Sequence, residues 1–472
     1  MDQVPLTPRS SSPLAALLGE DDRRRQDAAL ARLHGVLGDR TLWNVSSTAQ
    51  GGGVAEMLAA LVPYALGAGV DERWVVIGGR PEFFEVTKRV HNFLHESPGD
   101  GGPLAEQERT IYMRNLALEL ADLCAAIAPG DVVVLHDPQT AGLIRPLREH
   151  GAVVIWRCHV GVDHAGPAAR QAWDFLRADV AAADAAIFSR PAYVWEGLAP
   201  ERVAIIPPVI DAASAKNQLL DVGTRDAILA VAGIAPVAAD GSVPPRYQGA
   251  DGEPHLVQRR ADLVEEAPLP AGARLVVQVS RWDRLKDPVG VLHGFARLDR
   301  PDDDTHLMLV GPAVGEVADD PESAEVFGEV REAWAALPPA ARARCHLVCL
   351  PMDDADENAA IVNALQRRAD VVVQKSLAEG FGLTVAEAMW KRRPVVASRV
   401  GGIQDQIVDG ESGVMIDPPT DLRAFGAALT GLLADDERAR KMGEAAHDRV
   451  RGHFLPVHHF EAESDLVAGL RR

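Results

Sequence analysis

The feature that most constrains the fold of this chain is the alternation of short apolar, β-branched runs with longer helix-compatible stretches. This alternation is typical of a doubly wound parallel sheet, because each buried strand is followed by a helix that covers one face of the sheet. The sequence therefore predicts two Rossmann-like α/β domains in tandem. The first series of runs lies at 42–47, 74–79, 132–136, 152–156, 185–189 and 203–207, and the second at 275–280, 306–311, 346–350, 371–374, 394–398 and 413–416.

The length of 472 residues also favours two domains, since a single hydrophobic core rarely grows to that size. Residues 233–270 are rich in proline, glycine and aspartate without a sustained hydrophobic period, which indicates a linker or surface insertion. The predicted division is a leader with a charged helix in 1–40, an N-terminal Rossmann-like domain in 41–232, the linker in 233–270, a C-terminal Rossmann-like domain in 271–455 and a C-terminal helix in 456–472.

The balance of 48 basic and 68 acidic residues gives a formal net charge of −20, which disfavours nucleic acid or an anionic membrane as a partner. An anionic substrate then requires a local cationic site. The four cysteines are too scattered for a disulfide framework, and no apolar run approaches the roughly 20 residues of a membrane span. Because the N-terminal residues also lack a signal-peptide pattern, the sequence predicts a cytoplasmic protein with buried, reduced thiols.

Residues 379–398 follow an apolar run and combine a glycine-containing loop with a helix that is predicted to begin near Leu383 or Thr384. Gly380 and Gly382 let the backbone approach a ligand closely. The amides at the start of the helix have no partners within it and point outward with the positive end of the helix dipole. This arrangement predicts an anion-binding site.

Glu379 and Glu387 flank this loop, so their carboxylates can address opposite ends of one elongated ligand. A nucleoside diphosphate sugar has that shape, with its hexose at the first glutamate, its diphosphate over the amides and its ribose at the second. Arg281 and Lys286 follow the first strand of the second series and are suited to neutralising a diphosphate leaving group. The alternative is a solvated helix with incidental glutamates beside surface cations, which is how we interpret Arg284.

In the first half of the chain, a glycine run at 51–53 lies between a predicted strand and a predicted helix. Gly52 and Gly53 would let this loop close over a sugar or phosphate, although a tight turn explains them equally well. His136 and His159 end consecutive predicted strands, so both are expected at the carboxyl edge of the sheet, where such folds bind ligands. Metal binding is disfavoured, because no carboxylate and histidine set with ligand spacing accompanies them.

Polar residues beside the first histidine suit the recognition of sugar hydroxyls, namely Asp137 and Gln139. Segment 83–95 adds Lys88 and Asn92, although an amphipathic helix with a polar face accounts for these two almost equally well.

With these residues in view, the chain resembles the family 4 glycosyltransferases from about Leu42 to its C-terminus. The specific part of the resemblance is three elements in the family's order: Arg281 with Lys286, Glu379 and Glu387 around Gly-Phe-Gly, and RVGGIQDQIVDGESG at 399–413. The resemblance implies a GT-B fold, in which two Rossmann-like domains face a central cleft, and transfer from a nucleotide sugar with retention of configuration. It implies no divalent metal or other cofactor, since cations and helix-terminal amides supply the charge.

Within that family, segments such as WNVSSTAQGGGVAEML, VTKRVHNFLH, HDPQTAG and WRCHVGVD most resemble the trehalose glycosyltransferring synthases, which join nucleotide-activated glucose to free glucose. Similarity assigns roles at the reacting centre to Arg281 and Lys286 on the diphosphate and to Glu379 and His159 on the donor hexose. The remaining donor-binding residues are then Gly52, Gly53, Gly380, Phe381, Gly382, Leu383, Thr384 and, at the ribose, Glu387. The acceptor-binding residues are Asp137, Gln139, Lys88 and Asn92.

Two alternatives remain open at this point: a trehalose phosphorylase, which replaces the nucleotide by inorganic phosphate, and a non-catalytic sugar-nucleotide sensor on the same fold. A ribose contact at Glu387 would be useless to a phosphorylase, and retention of both cations and both glutamates argues against a sensor. The substrates expected are nucleoside diphosphate glucose and glucose, and a homodimer is left open.

Overall fold

The computed structural model describes residues 1–12, 14–49, 52–236, 243–298, 304–314 and 322–470, which form two compact units. The first unit contains Met1–Asp211 and Phe454–Arg472, and the second contains Ala212–His453. Each unit has its own largely parallel sheet with helices between the strands. The prediction of two Rossmann-like α/β domains is therefore confirmed.

The sheet of the first unit has the strand order β1-β3-β2-β4-β5-β6-β7 and is parallel except for the edge strand β1. Its strands are β1 (Asp2–Gln3), β2 (Leu42–Ser46), β3 (Glu72–Val76), β4 (Val132–His136), β5 (Val153–Cys158), β6 (Ala185–Phe188) and β7 (Val203–Ile205). Every residue of β2 and β4 is buried, because helices cover both faces of the sheet. Continuous apolar runs, rather than alternating ones, therefore mark these strands in the sequence.

The helices that cover this sheet in the first part of the chain are α1 (Leu14–Leu18), α2 (Glu20–Leu37), α3 (Gly53–Gly67), α4 (Pro81–Leu94), α5 (Glu106–Ala126), α6 (Asp137–Thr140), α7 (Ile144–His150) and α8 (Pro167–Val180). Buried aromatic side chains fill the space between helices and sheet, including Trp43, Phe83, Tyr112 and Trp156. The Tyr112 hydroxyl donates to the Pro138 carbonyl oxygen at 2.7 Å, so even the polar end of this ring is satisfied.

The second unit repeats the plan with the strand order β10-β13-β12-β11-β14-β15-β16, in which only β10 is antiparallel to its neighbour. The strands of this sheet are β10 (Asp262–Val264), β11 (Arg274–Val279), β12 (Thr305–Pro312), β13 (Cys345–Leu350), β14 (Val371–Gln374), β15 (Val395–Ser398) and β16 (Val414–Ile416). Two further strands, β8 (Arg246–Gln248) and β9 (Pro254–Leu256), form a separate hairpin. Its helices are α9 (Val222–Val231), α10 (Pro288–Ala296), α11 (Glu322–Ala335), α12 (Pro339–Arg342), α13 (Ala355–Arg368), α14 (Leu383–Trp390), α15 (Ile403–Gln406), α16 (Leu422–Leu433) and α17 (Asp436–His453).

The boundary between the units differs from the predicted linker at 233–270, because the second unit begins at Ala212. The described part of 233–270 lies within the second unit, where its strand β10 pairs with β13. Proline and glycine here mark tight turns between short elements rather than an inter-domain connection.

The chain returns to the first unit at Phe454 and ends in α18 (Pro456–Gly469). Helix α2 packs against α18, and Arg25 forms an ion pair with Glu461 between them at 2.8 Å. The predicted leader and the predicted C-terminal helix are therefore parts of the first unit rather than separate appendages.

In the part of the chain that the structure describes, no helix is both long and apolar enough to cross a membrane. All four cysteines are unpaired thiols, and three of them are buried. Burial raises the pKa of the Cys349 thiol to about 11 and that of Cys345 to about 12, which makes both poor nucleophiles near neutral pH.

Asn363→Ala tests the hydrogen bonds that attach the first residues of the second unit, around Ala215 and Gln218, to helix α13. Asn363 is fully buried, donates to the carbonyl oxygens of Ala215 and Gln218 and accepts from Arg367. The substitution is expected to lower the free energy of unfolding in urea by about 2–3 kcal/mol, because it leaves buried polar groups without partners. Asn358→Ala on the same helix, where the side chain is only half-buried, is the matched control and should cost about 1 kcal/mol or less. Equal losses in the two variants would contradict this account.

Candidate functional site

The loop after β2 leads into α3 in the first unit, as the glycine run predicts. Gly52 lies at the N-terminus of α3 with a φ of 85°, a left-handed conformation that favours glycine, and Gly53 is the first residue of the helix. Gln50 and Gly51 lie outside the described residues. The contact of this loop with a donor substrate remains a prediction.

The two histidines lie together at the carboxyl edge of the first sheet. Strands β4 and β5 pair in parallel. His136 is the last residue of β4, and His159 directly follows β5. Their rings stack with centroids 5.6 Å apart, and His136 Nδ1 lies 3.3 Å from His159 Nε2. Burial, with the nearby positive charge of Arg157, holds the pKa of both rings well below the ordinary value. Both imidazoles are therefore neutral near pH 7.

A chain of buried polar side chains continues from this pair into the neighbouring strands. His136 Nε2 lies 2.9 Å from Asn44 Oδ1, and Asn44 Nδ2 donates to Glu72 Oε1 at 2.7 Å. Burial raises the pKa of Glu72 well above its usual range, and the nearby Glu463 raises it further. Asn44 and Glu72 were not predicted as site residues. The feature that could have identified them is a polar side chain within an otherwise largely apolar strand.

Charged groups from β5 and α18 meet beside this chain. Arg157 is buried and donates to the Ile206 carbonyl oxygen at 3.3 Å, while His459 Nε2 lies 3.7 Å from Glu463 Oε2. Burial lowers the pKa of Arg157 to about 10, and Glu463 opposes that shift. This cluster could not be predicted from sequence patterns, because α18 reaches it through tertiary packing.

Asp137 directly follows His136 and adopts a φ of 63°, which is unusual for a residue other than glycine. Its Oδ1 accepts a hydrogen bond from the backbone amide of His159 at 2.8 Å. Burial raises the pKa of this carboxyl to about 7. Gln139 is half-buried, and its Oε1 has no hydrogen-bond partner among the described residues. The structure thus gives Asp137 a role in holding His159, and leaves Gln139 available to a ligand.

Lys88 and Asn92 lie one turn apart on α4, which packs against α6. Lys88 is exposed and Asn92 is half-buried. Within the described ranges, no hydrogen bond joins either side chain to the histidine pair. Their role with an acceptor remains a prediction.

In the second unit, the segments that follow β11 and β14 bring two of the predicted residues into direct contact. Lys286 Nζ forms an ion pair with Glu379 Oε2 at 2.7 Å, and both side chains are largely buried. Ser376 Oγ donates to the same carboxylate oxygen at 3.2 Å, and Gln278 Nε2 donates to the Lys286 carbonyl oxygen at 3.0 Å. The cation and the carboxylate are therefore held in fixed positions at the strand ends.

A second ion pair supports the first. Lys375, whose side chain is fully buried, contacts the carboxylate of Asp287. Asp287 has a φ of 47° and accepts from the Gly290 amide at 3.1 Å, which caps the N-terminus of α10. Because Asp287 adjoins Lys286, this buried pair also fixes the backbone that carries Lys286. Sequence reasoning missed Lys375, although a lysine directly after an apolar strand is an informative signal.

Arg281 is much more exposed than Lys286. The Arg281 side chain is 59% exposed, and its Nη2 lies 3.6 Å from Asp283 Oδ2. Arg284 pairs with acidic side chains of α11, including Glu322 at 3.0 Å, as its interpretation as a surface cation predicts. Lys286 forms an ion pair with Glu379, and the contact of Arg281 with a diphosphate remains a prediction.

The helix that was predicted to begin near Leu383 begins at that residue as α14. Gly382 lies at its N-terminus with a φ of 81°, which favours glycine. In the described part of the chain, no hydrogen-bond partner is seen for the amides of Leu383 and Thr384. The Thr384 hydroxyl donates to Gln374 Oε1 at 3.2 Å, which ties the helix to the end of β14. These amides can bind an anion.

The loop before α14 is held by the segment that follows β15. The Gly402 amide donates to the Gly380 carbonyl oxygen at 2.9 Å, and Gln406 Nε2 donates to the Phe381 carbonyl oxygen at 2.5 Å. A side chain at Gly402 would meet the Phe381 ring at 2.6 Å, so this position requires glycine. Segment 399–413 therefore acts as a support for the predicted donor-binding loop.

Glu387 lies on the buried face of α14 and is 3% exposed. Its Oε1 lies 3.6 Å from Lys216 Nζ, and its Oε2 has no hydrogen-bond partner among the residues that the structure describes. One turn later, Lys391 Nζ donates to Asn217 Oδ1 at 2.9 Å and to Gln366 Oε1 at 2.7 Å. Glu387 thus lies among cations, with one buried carboxylate oxygen that has no hydrogen-bond partner in the described part of the chain.

The described residues contain no group of three or more His, Cys, Asp or Glu side chains that could hold a metal ion. The first unit offers neutral hydrogen-bonding groups at its strand ends, and the second offers a lysine, free helix amides and two glutamates. The groups of the first unit suit sugar hydroxyls, and those of the second unit suit a phosphorylated ligand.

Comparison with known proteins agrees with this division. Residues 44–195 match the family "Trehalose synthase, N-terminal domain", and residues 260–449 match "Glycosyl transferases group 1". A similar solved structure is a trehalose-phosphate synthase (UDP-forming) from Burkholderia vietnamiensis, with a TM-score of 0.66, 16% identity and coverage of 90% of this chain and 98% of the other. Another is Anabaena HepE in complex with UDP and glucose, with a TM-score of 0.60, 14% identity and the same coverage. These structures are glycosyltransferases, and the fold is GT-B.

Relatives of similar length share more of the sequence. Trehalose synthase from Rubrobacter xylanophilus is 35% identical over 92% of this chain and 91% of its own length, and that from Pyrococcus horikoshii is 33% identical over 96% and 95%. Trehalose phosphorylase from Pleurotus pulmonarius is 27% identical over 86% of this chain but only 54% of its own length. The chain belongs to the trehalose synthase family of group 1 glycosyltransferases.

Proposed function

We propose that this protein transfers glucose from a nucleoside diphosphate glucose to free glucose and forms trehalose with retention of configuration. The observation that carries the proposal is the Lys286–Glu379 pair of 2.7 Å beside the free amides at the start of α14. Lys286 and the helix amides can bind a phosphate, and Glu379 beside them can accept hydrogen bonds from hexose hydroxyls. The names of the relatives support trehalose as product, and the UDP and glucose bound by a structural neighbour support the class of donor.

In the second unit, the diphosphate would lie at Lys286 and the amides of Leu383 and Thr384. A charge-assisted hydrogen bond of this kind contributes about 1.5–3 kcal/mol, and more where charge develops away from water. Glu379 would accept hydrogen bonds from the hexose, and the free oxygen of Glu387 would accept from the ribose. Because Lys286 and Glu379 contact each other, a bound donor would either separate the two side chains or form hydrogen bonds with both of them.

The reaction follows from these groups without an enzyme nucleophile. The anomeric hydroxyl oxygen of the acceptor bonds to C1 of the donor glucose on the face from which the diphosphate departs. The bond from C1 to the phosphate oxygen breaks, and that oxygen takes the proton of the acceptor hydroxyl. Lys286 and the helix amides stabilise the charge on the departing diphosphate, so the proposal requires no divalent cation.

The first unit would bind the acceptor through Asp137 and Gln139. A phosphorylated acceptor would need a cationic group there. Of the cations near these segments, Arg157 is buried and Arg89 pairs with Asp100 at 2.7 Å, which leaves Lys88 exposed on α4. This set favours the neutral hydroxyls of free glucose over a sugar phosphate.

Product analysis tests the proposal directly. The protein is incubated with ADP-, UDP- or GDP-glucose and with glucose, glucose 6-phosphate or fructose at matched concentrations. We expect an α,α-1,1-linked disaccharide from glucose and at least one nucleotide donor. Faster turnover with glucose 6-phosphate would identify a trehalose-phosphate synthase instead. Formation of the disaccharide and inorganic phosphate from glucose 1-phosphate and glucose would identify a phosphorylase, and nucleotide binding without any product would identify a sensor.

Lys286→Ala is expected to lower kcat by about two to three orders of magnitude with donor saturating, because it removes the charge aimed at the leaving diphosphate. Arg284→Ala is the matched control, since this cation lies on the same segment but faces α11. Its kcat should be unchanged. Arg281→Ala should resemble Lys286→Ala if the exposed guanidinium turns to the diphosphate when the donor binds. Near-normal turnover in Lys286→Ala would show that the leaving-group assignment is wrong.

Glu387→Gln and Glu379→Gln should separate binding from turnover. The first should weaken the binding of a nucleoside diphosphate, measured by calorimetry, because a ribose hydroxyl loses a charged acceptor. The second should lower kcat without weakening that affinity, because the nucleoside diphosphate carries no hexose and Lys286 loses its charged partner. Unchanged nucleotide affinity in Glu387→Gln would remove the ribose role.

A further inference from the structure

We infer that Glu72, Asn44 and His136 are positioning residues that fix the tautomer of His159. In the fixed tautomer, His159 keeps Nδ1 without a proton and presents it as a hydrogen-bond acceptor to a sugar hydroxyl. Of these four residues, the family resemblance implies a substrate contact for His159, and the other three side chains reach it through a continuous series of hydrogen bonds.

The direction of each hydrogen bond follows from the orientation of the Asn44 amide. Glu72 Oε1 accepts from Asn44 Nδ2, so the amide must present its Oδ1 to the other side. That oxygen can only accept, so His136 Nε2 carries a proton. A neutral imidazole carries one proton, which leaves His136 Nδ1 as an acceptor. The facing His159 Nε2 must then donate, and His159 Nδ1 is left as an acceptor.

The surroundings keep this chain from rearranging. Asn44, Glu72 and His136 are each at most 6% exposed, so water does not compete for their hydrogen bonds. The backbone amide of His159 is held by the Asp137 carboxylate at 2.8 Å. His159 itself is only half-buried, and its Nδ1 has no hydrogen-bond partner among the described residues. The Nδ1 edge of the ring can therefore accept a hydrogen bond from a ligand.

In the alternative arrangement, donor and acceptor are exchanged in every hydrogen bond of the chain. If the Glu72 carboxyl kept a proton and donated it to Asn44, the amide nitrogen would face His136, and both rings would carry their protons on Nδ1. His159 would then donate to a ligand instead of accepting. The two arrangements predict opposite tautomers for both histidines, so the inference is testable without any substrate.

The test is a long-range 1H–15N correlation spectrum of the full-length protein labelled with 15N-histidine, near pH 7. The ring nitrogens of the two residues are assigned from the signals lost in His136→Gln and His159→Gln. We expect protonated Nε2 and unprotonated Nδ1 in both rings. Protonated Nδ1 in His159, or a doubly protonated ring, would overturn the inference.

Glu72→Gln supplies a second readout, because a glutamine can either donate to or accept from Asn44. Its histidine signals should show a mixture of tautomers, and its kcat should fall by about tenfold while the fold is retained. The stacked pair of His306 and His346 in the second unit, with facing nitrogens 2.9 Å apart, is the internal control and should keep its signals. Mixed tautomers with unaltered kcat would show that the chain does not position His159 for catalysis.

The hydroxyl ligand of His159 rests on the proposed function, whereas the tautomers do not. If the unmodified protein shows the expected tautomers and forms trehalose, both proposals are supported. If no sugar transfer is detected with any donor, the proposed function fails, and the spectrum of the unmodified protein still decides the direction of the chain.

Discussion

The parallel arrangement of strands is the constraint on which the rest of this structure depends. Because all parallel strands of a sheet point the same way, the residues that follow them meet at one edge. His136 and His159 meet in this way in the first unit, and Lys286 and Glu379 do so in the second. Residues far apart in the sequence thereby form two compact sets of chemical groups. Antiparallel sheets would divide the same residues between opposite edges.

The two sets use different physical means to stay in position. In the second unit, buried ion pairs hold Lys286 and Lys375 in fixed positions against carboxylates. In the first unit, a chain of hydrogen bonds ends at a histidine that burial keeps uncharged. A lysine held in a fixed position suits an anionic donor, whereas an uncharged hydrogen-bond acceptor suits sugar hydroxyls. This difference is the main structural argument for the proposed transfer from a nucleotide sugar to an uncharged acceptor.

Sequence patterns predicted those parts of the molecule that depend on local chemistry. The strands buried on both faces appear as continuous apolar runs, and Gly382 with α14 follows from glycine and helix-capping rules. The short strand β10 was missed, because its three residues are strand only through pairing with β13. Glu72 and Lys375 were missed for a related reason, since their roles arise from contacts with partners distant in the sequence. The boundary at Ala212 was missed because proline-rich turns resemble a linker.

A crystal structure of the protein with an unreactive nucleoside diphosphate glucose analogue would test the central claim most directly. The account predicts the diphosphate at Lys286 and at the amides of Leu383 and Thr384, with Glu379 turned from the lysine to the hexose hydroxyls. It also predicts the ribose at the free oxygen of Glu387. A diphosphate bound elsewhere, with the 2.7 Å contact between Lys286 and Glu379 unchanged, would contradict the account.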